Sequence, residues 1–153
     1  MSDIIAFEAQ TPRMALPLLY PGQAQKEAFV NEALMRIDAL LNTRIEGVAT
    51  SPPLSPVDGA CWIVGANPLG DWAGKAGSIA CHAAGNWLFV GPHEGMAVTE
   101  SASGQIMRYR MGQWSAPAAV QTPQGGETVD LQARVAIAAL LERMVEVGLL
   151  PAA

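Results

Sequence analysis

Residues 77–87, GSIACHAAGNW, and residues 104–114, GQIMRYRMGQW, are two copies of one pattern. A shift of 27 lays Gly77, Ile79, Gly85 and Trp87 on Gly104, Ile106, Gly112 and Trp114. A looser copy, GACWIVGANPLGDW, runs from Gly59 to Trp72. Each copy is a glycine, a few alternating apolar residues, a Gly-containing turn and a tryptophan, which is the pattern of a β-hairpin. Three in tandem predict an all-β module presenting aromatic rings, and such a module binds or assembles more readily than it catalyses. The predicted strands are 61–64, 78–82, 87–90, 96–99, 105–110 and 113–115, with hairpin turns at 82–85 and 110–112.

Working outward, residues 23–42 read as a helix. Val30, Leu34, Ile37 and Leu41 fall on one face, and Glu32 with Arg36 makes a favourable i, i+4 pair. TRIEGVAT, 43–50, continues as a strand or irregular exit, and the three prolines of 51–59 mark a loop. Prolines 12, 17 and 21 keep the apolar segment 1–21 extended. Such an arm packs on its own domain or docks on a neighbour. Met14, Leu16, Leu18, Leu19 and Tyr20 are the candidate docking residues of that arm.

On the C-terminal side, 116–127 is a Pro-, Gly- and Gln-rich linker. A second helix follows over about 130–147, capped by Thr128 or Asp130 and stopped by Gly148 and Pro151. It carries two apolar stripes, one with Ile137, Leu140, Met144 and Val147, the other with Leu131, Val135, Ala138, Leu141 and Val145. A helix apolar on more than one side needs cover on more than one side. A bundle with symmetry mates supplies it, and a central place in the monomer's own core is the alternative. Val135, Ile137, Leu140, Leu141 and Met144 are the candidate oligomer interface. The expected fold is α+β: an extended arm and helix, a small antiparallel β-hairpin domain, and a C-terminal amphipathic or apolar helix. The expected segments are 1–21, 22–115, 116–127 and 128–153.

Composition narrows the function. Only 15% of the 153 residues are charged, against ~25% in a typical domain, so other subunits are expected to cover part of the surface. The net charge of −5 and the lack of a basic run argue against nucleic-acid binding. No run of ~20 apolar residues predicts a membrane span, and the start MSDIIAFEAQ lacks the layout of a signal peptide. The chain is expected to be made in the cytoplasm. Cys61 and Cys81 lack CxxC spacing and read as buried apolar residues, with a cross-strand disulfide the minor alternative.

Candidate chemistry is sparse, and no enzymatic activity is expected. His82 and His93 have no metal-ligand spacing with the cysteines, and no acid is placed by sequence to orient either. Asp58, Asp71 and Glu94 read as turn acids. Gly74-Lys75 is followed by Ala76 and a strand, which rejects a P-loop. No metal or cofactor is expected. Trp72, Trp87, Trp114 and Tyr109 are the candidate glycan-binding rings, because an aromatic face stacks on the apolar face of a sugar. The bland reading is that these rings anchor the hairpins, with Trp72, in the long turn of the looser copy, the ring expected to stay exposed.

The blocks PGQAQKEAFVNEALMRIDALL (21–41), PPLSPVDGACWIVG (52–65), WAGKAGSIACHAAGNWLFVGPHEGM (72–96) and GQIMRYRMGQW resemble a family of uncharacterised phage and prophage proteins. Its members occur in alphaproteobacterial prophages and gene transfer agents, often in tail fibres or spikes. The resemblance covers about residues 14–115, and ARVAIAALLERMVEVGLL resembles a segment that follows this domain in some relatives. Fibre members are longer, so the resemblance implies a short base or adaptor of a head spike. It would attach a fibre at the capsid vertex and assemble into a phage-like particle. The implied partners are capsid protein, spike fibre protein and other copies of the chain, as a homopentamer. The hairpin repeat is also similar to Trp-bearing carbohydrate-binding modules, which implies host polysaccharide as a second possible partner.

Overall fold

The computed structural model describes residues 11–12, 16, 18–19, 26–122 and 124–151. It is an α+β protein. The described residues form α1 (Lys26–Leu40), strands β1 (Arg44–Ile45), β2 (Val48–Ala49), β3 (Cys61–Val64), β4 (Ile79–Ala83), β5 (Asn86–Val90), β6 (Ala97–Glu100), β7 (Ile106–Arg110) and β8 (Gln113–Ser115), and α2 (Leu131–Glu146). The chain divides into two compact units between Pro92 and His93, inside the segment expected to be one domain.

In the first unit the sheet order is β2-β3-β4-β5. β3, β4 and β5 are antiparallel neighbours, but β2 runs parallel to β3, with Val48 opposite Ile63. The sheet is therefore mixed rather than purely antiparallel. Period-2 alternation splits its side chains between two faces. Cys61, Ile63, Ile79, Cys81 and Val90 are buried on one. Cys61 and Cys81 sit directly opposite each other, both buried and both thiols. The other face carries Trp62, Val64, Ala80, Trp87 and Phe89.

The two closer copies of the sequence pattern are hairpins, β4–β5 and β7–β8. Their turns share one backbone solution: Ala84-Gly85 has φ of 50° and 74°, and Met111-Gly112 has φ of 51° and 77°. Positive φ at both central residues is the type I′ turn, whose twist matches that of the flanking strands. The third copy departs from expectation. β3 leaves into a loop ending in a 3-10 turn, Gly70–Trp72, and pairs with β2 and β4 rather than closing its own hairpin.

α1 also differs from the sequence pattern. Val30, Ile37 and Leu41 of the expected stripe are exposed, whereas Asp38 (2% exposed) and Ala39 turn inward. Thr11 supplies the reason: its hydroxyl donates to Asp38 Oδ1 at 2.8 Å. One α1 face, Asn31 with Asp38 seven residues on, gathers polar groups that meet the preceding segment.

The second unit has the antiparallel meander β6-β7-β8, followed by the linker and α2. Asp130 caps α2 by accepting from the Ala133 N–H at 2.9 Å. At the other end the Leu149 N–H donates to the Met144 carbonyl (2.8 Å) and the Gly148 N–H to that of Val145 (3.0 Å). With Gly148 at φ 72°, this is a Schellman cap. The Gly148 carbonyl in turn accepts from the Ile106 N–H at 3.0 Å, tying the helix end to the start of β7.

Candidate functional site

Four places in the fold could carry function: the tryptophan cluster, the His82 pair, the N-terminal segment and the surface of α2. The tryptophans assemble differently from expectation. Trp72 is 0% exposed and sits among Val64, Ala80 and the other rings. It meets Trp87 edge-on with centroids 5.0 Å apart, and Trp62 at 6.3 Å. Trp62 and Trp87 are themselves 5.7 Å apart. The 3-10 turn places Trp72 as a lid over the sheet, so its ring is core and no sugar can stack on it. Its Nε1–H has no hydrogen-bond acceptor although it is buried. An indole edge-on to a neighbouring ring face is the arrangement in which an N–H···π contact offsets part of that loss.

Trp87 is half-buried, held between Trp72, Trp62 and His82. Trp114 and Tyr109 are cross-strand partners, 5.3 Å apart and half-buried. They share the sheet face of the buried Val98. The structure thus brings Trp72 and Trp87 together in the first unit, and Tyr109 and Trp114 in the second.

His82 does have an acid beside it, contrary to expectation. Asp58, from the proline-rich loop, places Oδ1 2.7 Å from His82 Nδ1. The pair is close enough for an ion contact but is not aligned as a hydrogen bond. The same carboxylate accepts from the Ala84 N–H at 3.2 Å, and the imidazole packs on Trp87. Asp58 therefore buttresses the hairpin turn. The two lie 24 positions apart, a separation that carries no local sequence signal. His93 is exposed in the turn before β6. No cluster of His, Cys, Asp and Glu suited to a metal exists among the described residues.

The N-terminal segment is engaged within its own chain where it is described. The Thr11 N–H donates to the Leu16 carbonyl (2.9 Å), and the Leu16 N–H donates to Thr11 Oγ1 (3.0 Å). Asn31 reads Leu19 at both backbone groups: its Oδ1 accepts from the Leu19 N–H (2.9 Å) and its Nδ2 donates to the Leu19 carbonyl (3.1 Å). Leu16, Leu18 and Leu19 are half-buried, which fits the arm-on-own-domain reading. Met14 and Tyr20 lie outside the described residues. Asn31 was missed by a search for apolar stripes, although its spacing of seven from Asp38 marks one helical face.

α2 carries a run of exposed apolar residues. None of its residues is buried. Val135 (63%), Ile137, Leu140 (64%) and Met144 are exposed, together with Leu131 and Val147 just outside the candidate set. Leu141 differs from the rest of that set. It is half-buried and, with Ala138 and Val145, borders a cleft of ≈ 430 Å³ whose other wall includes Val120, Leu150 and Pro151. Ala138, Leu141 and Val145 thus turn towards the unit's own linker, while Leu131 and Val135 of the same stripe face solvent with the other stripe.

These features define a small α+β protein whose hairpins frame two aromatic clusters and whose second helix offers an uncovered apolar face. The chain belongs to the family described as protein of unknown function (DUF2793), whose model matches residues 30–115. The matched span holds every strand described and stops before the linker and α2. A comparison with curated proteins finds no match. Among the described residues no helix is long and apolar enough to cross a membrane.

Proposed function

We propose that this protein is a structural, self-assembling component of a phage-like particle, a base or adaptor that joins a spike fibre to the capsid. The observation that carries the reading is α2: a capped 16-residue helix none of whose residues is buried, with Val135, Ile137, Leu140 and Met144 facing solvent. A soluble monomer rarely exposes so continuous an apolar strip, and strips of this kind mark interaction surfaces. The proposed occupant is the same helix of other copies. Ile137, Leu140, Met144 and Val147 repeat at three, four and three residues, the spacing of a coiled-coil seam. The low charged fraction supports the same reading, and the resemblance of residues 14–115 to spike and tail-fibre proteins supplies the particle context. A closed ring of copies would present several weak attachment surfaces at once, which raises avidity without new contacts.

Sedimentation velocity of the purified full chain tests this. A closed homo-oligomer at micromolar concentration is the expected result, with a pentamer the stoichiometry proposed for a vertex. Val135→Glu with Leu140→Glu should return it to monomer without loss of helical signal, because both side chains are exposed. A wild-type chain that is monomeric at those concentrations would sink the proposal.

A further inference from the structure

The meander of the second unit has two unlike faces. Val98, Met107, Tyr109 and Trp114 share one, on which Val98 is buried. The other carries Ile106, Arg108 and Arg110, with Ser115 across the ladder from Arg108. These residues border a cleft of ≈ 240 Å³ walled on its apolar side by Pro117 and Leu149. The Ser115 hydroxyl donates to the Arg108 carbonyl (3.4 Å), and the charged residues that line the cleft are Arg108 and Arg110.

Most other cations described here are engaged. Arg36 bonds Glu32 and the Phe89 carbonyl, Arg143 bonds Glu146, Arg134 bonds the Gly125 carbonyl, and Lys75 lies over the Phe89 ring. Among the described residues no acceptor bonds the Arg108 or Arg110 side chain. The chain holds 14 acidic residues against 9 basic ones, so two neighbouring guanidiniums without a carboxylate go against its own charge balance. Their mutual repulsion is relieved by an anion placed between them. A guanidinium fork matches a planar carboxylate through paired N–H donors. The apolar wall would meet a carbon body rather than a bare inorganic ion. The volume lies below the ~300–1,000 Å³ of pockets for drug-sized ligands, which restricts the occupant to one compact unit.

We propose that the cleft lined by Arg108 and Arg110 binds a small carboxylate-bearing ligand, or one such unit of a longer molecule. This site is independent of self-assembly through α2, so the failure of either reading leaves the other standing. The test is titration of the full chain with glucuronate and with glutarate, followed by backbone NMR, with glucose and inorganic phosphate as comparison probes. At least one of the two acids should bind, with shifts centred on 106–117 and 148–149. Binding of glucuronate alone identifies a sugar acid as the source, whereas binding of glutarate as well identifies a general carboxylate site. Arg108→Gln with Arg110→Gln should weaken binding roughly tenfold or more. Arg108→Lys should weaken it less, since the charge remains and only the fork is lost. Both arginines are exposed, so the fold should survive, and an unchanged wild-type-like spectrum of the double variant checks this. No localised shift with either acid, undiminished binding in the double variant, or phosphate binding as tightly as the acids would each overturn the proposal.

Discussion

Met111 is 96% exposed and occupies the first central position of a type I′ turn at φ 51°. A methionine gains nothing there: its side chain meets only water and its backbone is held in a region asparagine tolerates better. Met111→Asn should stabilise the protein by about 0.5–1 kcal/mol, read as a rise in the urea midpoint with an unchanged slope. Trp72 is the opposite case. It is wholly buried beneath its own turn and touched by two indoles. Trp72→Ala should cost roughly 3–5 kcal/mol, the range for deleting a buried aromatic, measured by the same denaturation. A loss under about 1 kcal/mol would show that the ring is not the keystone of that cluster. The difference between these two residues was not legible in sequence. Both lie within two residues of a glycine in copies of one pattern, and only the path of the chain between Gly65 and Trp72 decides which is covered.

At the scale of elements, the two tight hairpins were written plainly in the sequence, because a type I′ turn needs glycine at a fixed place between alternating strands. The end of α2 was equally plain, because Gly148 is the residue that a left-handed C-terminal cap requires. A side chain at Gly148 would meet the carbonyl oxygen of Gly104, and its φ is 72°. Gly148→Ala should therefore destabilise the second unit by about 1–3 kcal/mol and raise amide exchange at Ile106, whose N–H bonds Gly148. Exchange at Ile106 equal to that of the wild type would refute the coupling. The inward face of α1 was hidden from an apolar search for a physical reason. What it must satisfy is the backbone of an extended segment, so it uses Asn31 and Asp38, while Val30, Ile37 and Leu41 remain outside. A strand within 43–50 was among the expectations, but the parallel pairing of β2 with β3 was hidden, since two residues carry no periodicity. The cleft of Arg108 and Arg110 was legible only as an i, i+2 pair of cations, and its apolar wall comes from residues up to 41 positions away in sequence.

At the scale of the molecule, apolar surface is left open on both helices, Phe29, Val30 and Ile37 on one and Val135, Leu140 and Met144 on the other. The family span of 30–115 contains Val30 and Ile37 of the first patch and none of the second. If copies associate through α2, folding and association are linked, and apparent stability must rise with protein concentration. The thermal midpoint of the wild-type chain should therefore climb over a hundredfold range of concentration, and that of the doubly substituted Val135→Glu, Leu140→Glu chain should stay fixed. A wild-type midpoint independent of concentration would argue that the helix is solvated as a monomer.

The placement of the indoles has an optical consequence. Three of the four tryptophans lie within 6.3 Å of one another in the first unit, tilted or edge-on, while Trp114 lies in the second beside Tyr109. Closely spaced, non-parallel indoles couple their electronic transitions, so the trio should give an exciton signature in circular dichroism that Trp114 does not share. Each unit thus carries its own native chromophore, and the loss of structure in one can be followed by light without attaching any label.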